Sequence, residues 1–402
     1  MHWTTTELNP WVRNWVEISA ARLAENFRAL AAWCGRDVEV LAVIKADAYG
    51  HGGEACAGAL ARAGAKWLGV TSVDEGVQIR LAMGRDGIAD DAQPHVLVMC
   101  GVLEGEAGQV VRSRLTPVVW EGYQVELLEA VAAKRGEPLN VFVEVDTGMS
   151  RQGVDAGAAL EKLLERIAVS GKLRVQGVMT HMASAERVID AQNVEQMRVF
   201  AGALAQVGAG IEFVSVGNSA GVAGGVMLSE LKAMAKGAGA RAMVRPGLSL
   251  YGYVPELEGA SADELKLERV LEWKTRVVSV REIAAGDAVG YDATFRAAAA
   301  MTVALLPVGY ADGLRRELSG SGGERGGEVL IRGKRCAIVG RVSMDLTVVD
   351  VTGAGVSVGD EACLIGSQDG ESVSAEDHAR IAGTIVWEIL CGISDRVPRV
   401  RV

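Results

Sequence analysis

The sequence lacks a membrane-length apolar run, an excess of basic residues and any closely spaced pair of cysteines. Among its 402 residues, no stretch approaches the ~20 apolar residues that a membrane helix requires, and the formal net charge is −10. An acidic chain has no general electrostatic attraction for nucleic acid or anionic lipid, so we expect neither as a partner. The six cysteines are scattered without a C-x-x-C pair, which predicts reduced thiols that behave as small buried hydrophobic residues.

The chain also lacks the motifs of dinucleotide-binding, exported and metal-dependent proteins. No G-x-G-x-x-G follows the first predicted strand, which disfavours a dinucleotide enzyme. The first six residues contain neither a basic nor an apolar segment, so we expect no signal peptide and a cytoplasmic location. We expect no metal site, because the five histidines never approach ligand spacing; they are His2, His51, His95, His181 and His378.

From about residue 38 to residue 250, short β-branched runs alternate with longer amphipathic segments. Such alternation is typical of parallel strands joined by helical crossovers. Eight units predict an α/β protein whose N-terminal domain, residues 12–255, is a (β/α)8 TIM barrel, with an open doubly wound sheet as the alternative. The eight predicted strands are Val38–Ile44, Lys66–Thr71, His95–Met99, Thr116–Trp120, Asn140–Val145, Leu173–Met179, Glu212–Gly217 and Ala242–Arg245.

The pattern changes after about residue 260, where alternating segments are separated by glycine-rich turns and helical periodicity nearly vanishes. This texture predicts a second, mostly antiparallel β domain over residues 256–402, with which residues 1–11 are free to associate. The predicted strands include Trp273–Ile283, Thr302–Pro307, Glu328–Ile331, Cys336–Val339 and Leu346–Val351.

Polar residues follow several of the predicted barrel strands, and in this fold the strand ends share one face. Lys45 ends the first strand, where burial of an unpaired ammonium would depress its pKa and free the amine for Schiff-base chemistry. A lysine that extends to solvent is the alternative. His181 follows the sixth strand and Arg245 ends the eighth, and small residues after the seventh and eighth strands suit a phosphate.

These segments resemble the motifs of alanine racemases, the pyridoxal-phosphate (PLP) enzymes of fold-type III. The resemblance extends from about residue 12 to residue 400 and keeps the motifs in order. It rests on the Lys45–Gly52 segment, Asp146-Thr147-Gly148-Met149, Thr180-His181, Asn218-Ser219-Ala220, Arg245-Pro246-Gly247, Gly290-Tyr291, Val308-Gly309-Tyr310-Ala311-Asp312-Gly313 and Gly340-Arg341-Val342-Ser343-Met344-Asp345.

The resemblance implies racemisation of L- and D-alanine by two bases on opposite faces of Cα, supplying D-alanine for peptidoglycan. Lys45 would hold PLP and act as the base for D-alanine, and Tyr291 would act as the base for L-alanine. Two such groups are needed, because a single base tends to return the proton to its original side. An aromatic that merely packs in a turn of the β domain is the alternative for Tyr291.

The remaining roles are also implied by the resemblance. Arg245 would face the pyridine nitrogen and leave it unprotonated, and His181, held by Arg245, would stabilise the Tyr291 phenolate. The substrate would be bound by Arg151, Met344 and Asp345, and the cofactor by Lys45, Tyr49, Ser219, Arg245, Gly247, Leu248 and Tyr310. In the family that the chain resembles, the barrel and β-domain groups meet across a head-to-tail homodimer, so the resemblance implies that each site is built from two chains.

Two positions depart from the family pattern. Glu144 stands where many members carry a carbamylated lysine, which predicts that its carboxylate pairs with Arg151 without modification; an ordinary surface glutamate is the alternative. Asp395 stands where several relatives have a tyrosine that reaches the cofactor phosphate. Since phosphate repels a carboxylate, we expect Asp395 to point away or to pair with Arg396.

Other functions remain open at this point. The space near Asp395 suggests a serine racemase or a racemase of broad specificity. A non-enzymatic PLP-binding barrel protein would share the lysine and the barrel but would have no β domain. The last ~140 residues of this chain, which are predicted to form that domain, argue against it. A fold-type III decarboxylase would carry an acidic partner for the pyridine nitrogen, where this chain has Arg245.

Overall fold

A computed structural model describes residues 12–134, 137–260, 264–321, 324 and 326–402 of the chain. The chain divides into two compact units. The barrel unit comprises residues 21–48 and 53–268, and the β unit comprises residues 12–20, 49–52 and 269–402. The predicted association of residues 1–11 with the β domain lies outside the described residues. The β unit therefore takes chain from both sides of the barrel segment, whereas the sequence pattern placed the boundary between residues 255 and 256.

The barrel unit is a closed ring of eight parallel strands, which confirms the predicted TIM barrel. Neighbouring strands pair in chain order, and Leu115–Val119 pairs with Leu139–Asp146 to complete the ring. Because both faces of these strands are covered, they are almost continuously apolar rather than alternating. In chain order the barrel strands are Val38–Val43, Trp67–Val70, His95–Val98, Leu115–Val119, Leu139–Asp146, Leu173–Met179, Phe213–Ser215 and Arg241–Val244, and Val154–Asp155 pairs beside the fifth.

Amphipathic helices follow the barrel strands and bury one apolar face each. In Ala158–Ser170, for example, the buried residues Leu160, Leu163 and Ile167 recur at helical spacing. The α-helices are Ala20–Cys34, Gly53–Ala63, Val73–Arg85, Ala107–Arg112, Gly122–Ala132, Ala158–Ser170, Ala191–Val207, Ser219–Ala223 and Val226–Gly237. A 3-10 helix spans Leu248–Tyr251, and Lys45–Tyr49 forms a short turn with left-handed backbone angles.

The β unit contains one large sheet and two small ones. The large sheet runs in the order Lys334–Ala337, Glu328–Ile331, Glu361–Gln368, Leu271–Arg276, Asn14–Ile18 and Arg399–Arg401, with Glu371–Val373 beside Glu361–Gln368. The smaller sheets are Ser279–Ile283, Met301–Leu306 and Thr347–Asp350, and the pair Ala288–Val289 and Phe295–Arg296.

Two features of the β unit differ from the sequence prediction. The segment Trp273–Ile283, predicted as one strand, divides into Leu271–Arg276 and Ser279–Ile283, which belong to different sheets. Helical structure does not vanish, because α-helices form at Ala375–Ala382 and Val386–Cys391, and 3-10 turns at Tyr291–Ala293, Tyr310–Asp312 and Arg316–Leu318.

All six cysteines are free thiols, but Cys100 and Cys391 are exposed rather than buried as predicted. Within the described part of the chain, every helix is too short or too polar to span a bilayer. The described residues contain no cluster of His, Cys, Asp or Glu side chains arranged to hold a metal ion.

Candidate active site

Lys45 lies just after the first barrel strand, separated from Val43 by Ile44, and its side chain is half-buried. No salt bridge or hydrogen bond of its amine is present among the residues that the structure describes. Immediately after it, Ala46, Asp47 and Ala48 adopt left-handed backbone angles, with φ of 51°, 52° and 55°. The chain therefore turns sharply directly after the lysine, whose amine is unpaired in the described structure.

Arg245, at the end of the eighth barrel strand, is a buried cation held by polar groups of two neighbouring strands. Its Nη1 donates to the Ser215 hydroxyl at 2.7 Å, and its Nη2 donates to the Thr180 carbonyl at 2.7 Å. Burial lowers the pKa of Arg245 to about 10, although the negative charge of Glu144 acts to raise it. The guanidinium therefore remains charged at neutral pH. Its Nε–H has no partner in the described structure and is free to bind an acceptor.

His181 contacts Arg245 at the end of the sixth barrel strand. Arg245 Nη2 lies 3.4 Å from His181 Nδ1, and a guanidinium can only donate, so Nδ1 is the acceptor. Burial lowers the pKa of His181 to about 3, aided by the positive charges of Arg245, Arg151 and Lys45. His181 is therefore neutral at physiological pH with its proton on Nε2, which makes Nε2 a hydrogen-bond donor.

Glu144 is buried within the fifth barrel strand, with 2% of its surface exposed, so it is not a surface glutamate. Gln152 Nε2 donates to its carboxylate at 2.5 Å and also to the Met99 carbonyl at 2.7 Å. The predicted ion pair with Arg151 is absent from the described structure, where the Arg151 side chain is exposed. Burial raises the pKa of Glu144, while Arg245, Gln152 and Arg151 favour its charged form.

The loops after the seventh and eighth barrel strands meet at Ser219. Its hydroxyl oxygen accepts the backbone N–H groups of Gly247 and Ser249, each at 3.1 Å, so its hydrogen remains free to be donated. The buried Ser249 hydroxyl has no hydrogen-bond partner in the described residues. The 3-10 helix that begins at Leu248 adds N–H groups that lack partners within the helix.

In the β unit, Tyr291 lies on a short, well-braced turn and is 68% exposed. Gly290 precedes it with φ of 73°, and a Cβ at that position would lie 3.1 Å from the Arg341 nitrogen. The Arg341 guanidinium forms an ion pair with Asp292. The Gly290-Tyr291 and Gly340-Arg341 segments therefore contact each other, and together they hold the turn that carries Tyr291.

A second cluster of predicted residues lies on neighbouring loops of the β unit. The Tyr310 N–H donates to the Ser343 carbonyl at 3.0 Å, and the side chains of Tyr310 and Met344 are exposed. Arg396 donates to Asp345 at 2.7 Å rather than pairing with Asp395, which is exposed. The Asp345 carboxylate is thus neutralised by its own chain.

The structure brings several predicted residues together at the carboxyl ends of the barrel strands. The charges of Lys45, Arg151 and Arg245 all act on His181. Tyr49 is buried, which raises the pKa of its phenol, and it is assigned to the β unit. Tyr291, Tyr310, Met344 and Asp345 also belong to the β unit.

Sequence reasoning missed two side chains that hold this arrangement. Gln152 was overlooked because an amide beside Arg151 carries no motif of its own. Glu75 accepts the Ala46 N–H at 2.6 Å, and its only sequence signal was the capping-box spacing from Ser72.

Comparison with known proteins identifies the family. The model of the alanine racemase N-terminal domain matches residues 18–255, and that of the alanine racemase C-terminal domain matches residues 270–401. The chain belongs to the alanine racemase family. It is 37% identical over 386 residues to an alanine racemase of Symbiobacterium thermophilum, with 96% of each chain covered.

Solved alanine racemases have the same architecture. The enzyme of Streptomyces coelicolor superimposes with a TM-score of 0.87 at 32% identity, covering 98% of this chain and 99% of the other. An alanine racemase of Bartonella henselae with covalently bound pyridoxal phosphate gives a TM-score of 0.81 at 28% identity, covering 97% and 100%. The protein is therefore an amino-acid racemase, and its family depends on PLP.

The barrel residues of this racemase fit PLP chemically. A ring nitrogen that stays unprotonated needs a donor, and the Arg245 Nε–H is unused. A phosphate needs donors too, and the Ser219 and Ser249 hydroxyls both have a hydrogen to give. An aldehyde needs an amine without a competing partner, as Lys45 has.

Proposed function

We propose that this racemase interconverts L- and D-alanine, with Lys45 and Tyr291 exchanging protons on opposite faces of the substrate Cα. PLP, when bound to Lys45, supplies an electron sink that makes the Cα proton acidic. The observation that carries the proposal is the available amine of Lys45 among the fixed charges of Arg245, Arg151 and Glu144. Each proton is then added or removed by a side chain of this protein.

The charges of the barrel residues are consistent with separate roles in holding the cofactor, supporting the Tyr291 base and binding the substrate. Arg245 keeps its charge and offers a hydrogen bond, so it would hold a pyridine nitrogen without protonating it. A neutral His181 with its proton on Nε2 would donate to the oxygen of Tyr291 and favour the phenolate that acts as a base. The exposed guanidinium of Arg151 would bind the substrate carboxylate.

The exposed residues of the β unit support a shared site in a homodimer. Tyr291, Tyr310, Met344 and Leu346 are large side chains that leave 68%, 44%, 52% and 41% of their surface exposed. A second copy of the chain would cover them and receive the Tyr291 phenol beside its own Lys45. In a cytoplasmic setting, the product D-alanine would serve peptidoglycan synthesis.

The first experiment locates the cofactor and separates the two bases. Borohydride reduction and peptide mass spectrometry should place the pyridoxyl group on Lys45. Tyr291→Phe should nearly abolish racemisation of L-alanine yet retain exchange of the D-alanine α-proton with D2O, whereas Tyr123→Phe, at an exposed tyrosine of the barrel, should act like the wild type. Full racemisation by Tyr291→Phe would remove this residue from the mechanism, and assays with L-serine define the substrate range.

A mixing experiment tests the shared site. Lys45→Ala and Tyr291→Phe are each inactive in this proposal, but random subunit exchange would create one intact site in each mixed dimer. Equal amounts should recover about a quarter of the wild-type activity after exchange. If no activity returns although mixed dimers form, each chain supplies both bases to its own site.

A further inference from the structure

The turn that follows Lys45 is the most unusual backbone segment of the barrel unit. Ala46, Asp47 and Ala48 are consecutive residues with a Cβ and with φ between 51° and 55°. In the left-handed region the Cβ of an L-residue crowds the following carbonyl oxygen, so such residues seldom occur there in succession. A turn of this kind persists only when surrounding contacts hold it.

Glu75, near the start of the helix Val73–Arg85, supplies such a contact. Its Oε1 accepts the Ala46 N–H at 2.6 Å, at the first residue of the left-handed turn. Its Oε2 accepts the Thr71 N–H at 2.7 Å and the Thr71 hydroxyl at 2.8 Å. One carboxylate therefore joins the end of the second barrel strand to the residue that follows Lys45.

We propose that Glu75 is a positioning residue for Lys45, because it fixes the left-handed turn that aims the lysine amine. The inference rests on the proposed role of Lys45 as the PLP-binding residue and base. Glu75 itself touches neither cofactor nor substrate in this proposal. It acts only through the backbone of Ala46.

The chemistry of the contact explains why a carboxylate is required. Both oxygens of Glu75 accept hydrogen bonds, on opposite sides of the group. Glutamine has one acceptor oxygen, and its NH2 group would face an N–H donor on one side. Glu75→Gln can therefore keep the contact with Thr71 or the contact with Ala46, but not both.

A local helix-capping role can be separated from this one. Glu106 also accepts a backbone N–H three residues earlier, from Leu103 at 2.8 Å, just before the helix Ala107–Arg112. Glu106 is not hydrogen-bonded to the turn after Lys45. Glu106→Gln is thus a control that alters a glutamate hydrogen bond to the backbone at the start of another helix while leaving the lysine turn intact.

The test uses the PLP-loaded enzyme and compares Glu75→Gln with Glu106→Gln. We expect Glu75→Gln to lower kcat ~100-fold with a small change in KM, since misplacing a reacting group by about 1 Å has an effect of that size. The fraction of Lys45 that borohydride labels with a pyridoxyl group should also fall across a PLP titration. Glu106→Gln should keep the kcat and labelling curve of the wild type.

A second variant covers the case in which Glu75→Gln does not fold. Glu75→Asp keeps both acceptor oxygens but is one methylene shorter, so it should retain the Thr71 contacts and lose Ala46, with a near-normal Tm and a reduced kcat. If the Glu75 variants match Glu106→Gln in kcat and in labelling, the positioning role is wrong. If wild-type protein carries no label on Lys45, the proposed function fails instead.

Discussion

The buried imidazole of His181 provides a quantitative prediction about pH. Its pKa in the folded protein is about 3, chiefly because of burial, against an ordinary value of 6.5. Between these values the unfolded chain binds a proton that the folded chain rejects, so the free energy of unfolding decreases as the pH falls. The full difference corresponds to ~5 kcal/mol, of which ~2 kcal/mol is lost on going from pH 7.5 to pH 5.

Two measurements check this value. NMR titration of the imidazole carbon-bound protons should show no change of protonation at His181 between pH 8 and pH 5. Denaturant unfolding should lose ~2 kcal/mol more over that range in the wild type than in His181→Gln, which removes the ionisable group. A titration midpoint between pH 6 and pH 7, or equal losses in the two proteins, would refute the reasoning and the neutral, Nε2-protonated form that follows from it.

Three further substitutions test other contacts of the site. Gln152→Leu leaves the buried Glu144 carboxylate without its only hydrogen-bond donor among the described residues, so the protein should lose ~2–3 kcal/mol of stability in denaturant unfolding. Gln152→Leu combined with Glu144→Leu should recover part of that loss. Ser219→Ala removes the hydroxyl that two backbone N–H groups share, and PLP titration should show about tenfold weaker binding. Gly309→Ala would press a Cβ against the Ser343 and Met344 carbonyls, so KM for alanine should rise while borohydride labelling of Lys45 at saturating PLP stays unchanged.

The barrel was predictable because each of its strands is a short apolar run between amphipathic helices. All eight predicted strands overlap observed ones within about two residues at each end, for example Leu173–Met179, which matches in full. The β unit was harder to predict, because its strands belong to several sheets. Within Trp273–Ile283, the β-branched residues Val277 and Val278 carry no turn signal, yet the chain passes from one sheet to another there.

The site was only partly predictable, because some of its contacts carry no local signal. The sequence Ala46-Asp47-Ala48 contains no glycine to indicate a left-handed turn. Glu144 was predicted to pair with Arg151, but its hydrogen-bond donor is Gln152, the residue after Arg151. The Gln152 amide also donates to the Met99 carbonyl. A choice between adjacent side chains depends on strand twist and loop geometry, which one sequence does not reveal.

The strand Asn14–Ile18 has a consequence for how the protein is made. It pairs with Leu271–Arg276 on one side and with Arg399–Arg401, at the far end of the chain, on the other. During synthesis, the edge of this early strand that pairs with Arg399–Arg401 stays unpaired until those residues have left the ribosome. Pairing between strands so far apart in sequence is slow, so the β unit should be the last part of the chain to fold. Until then, the unpaired strand edge must be protected from pairing with other chains.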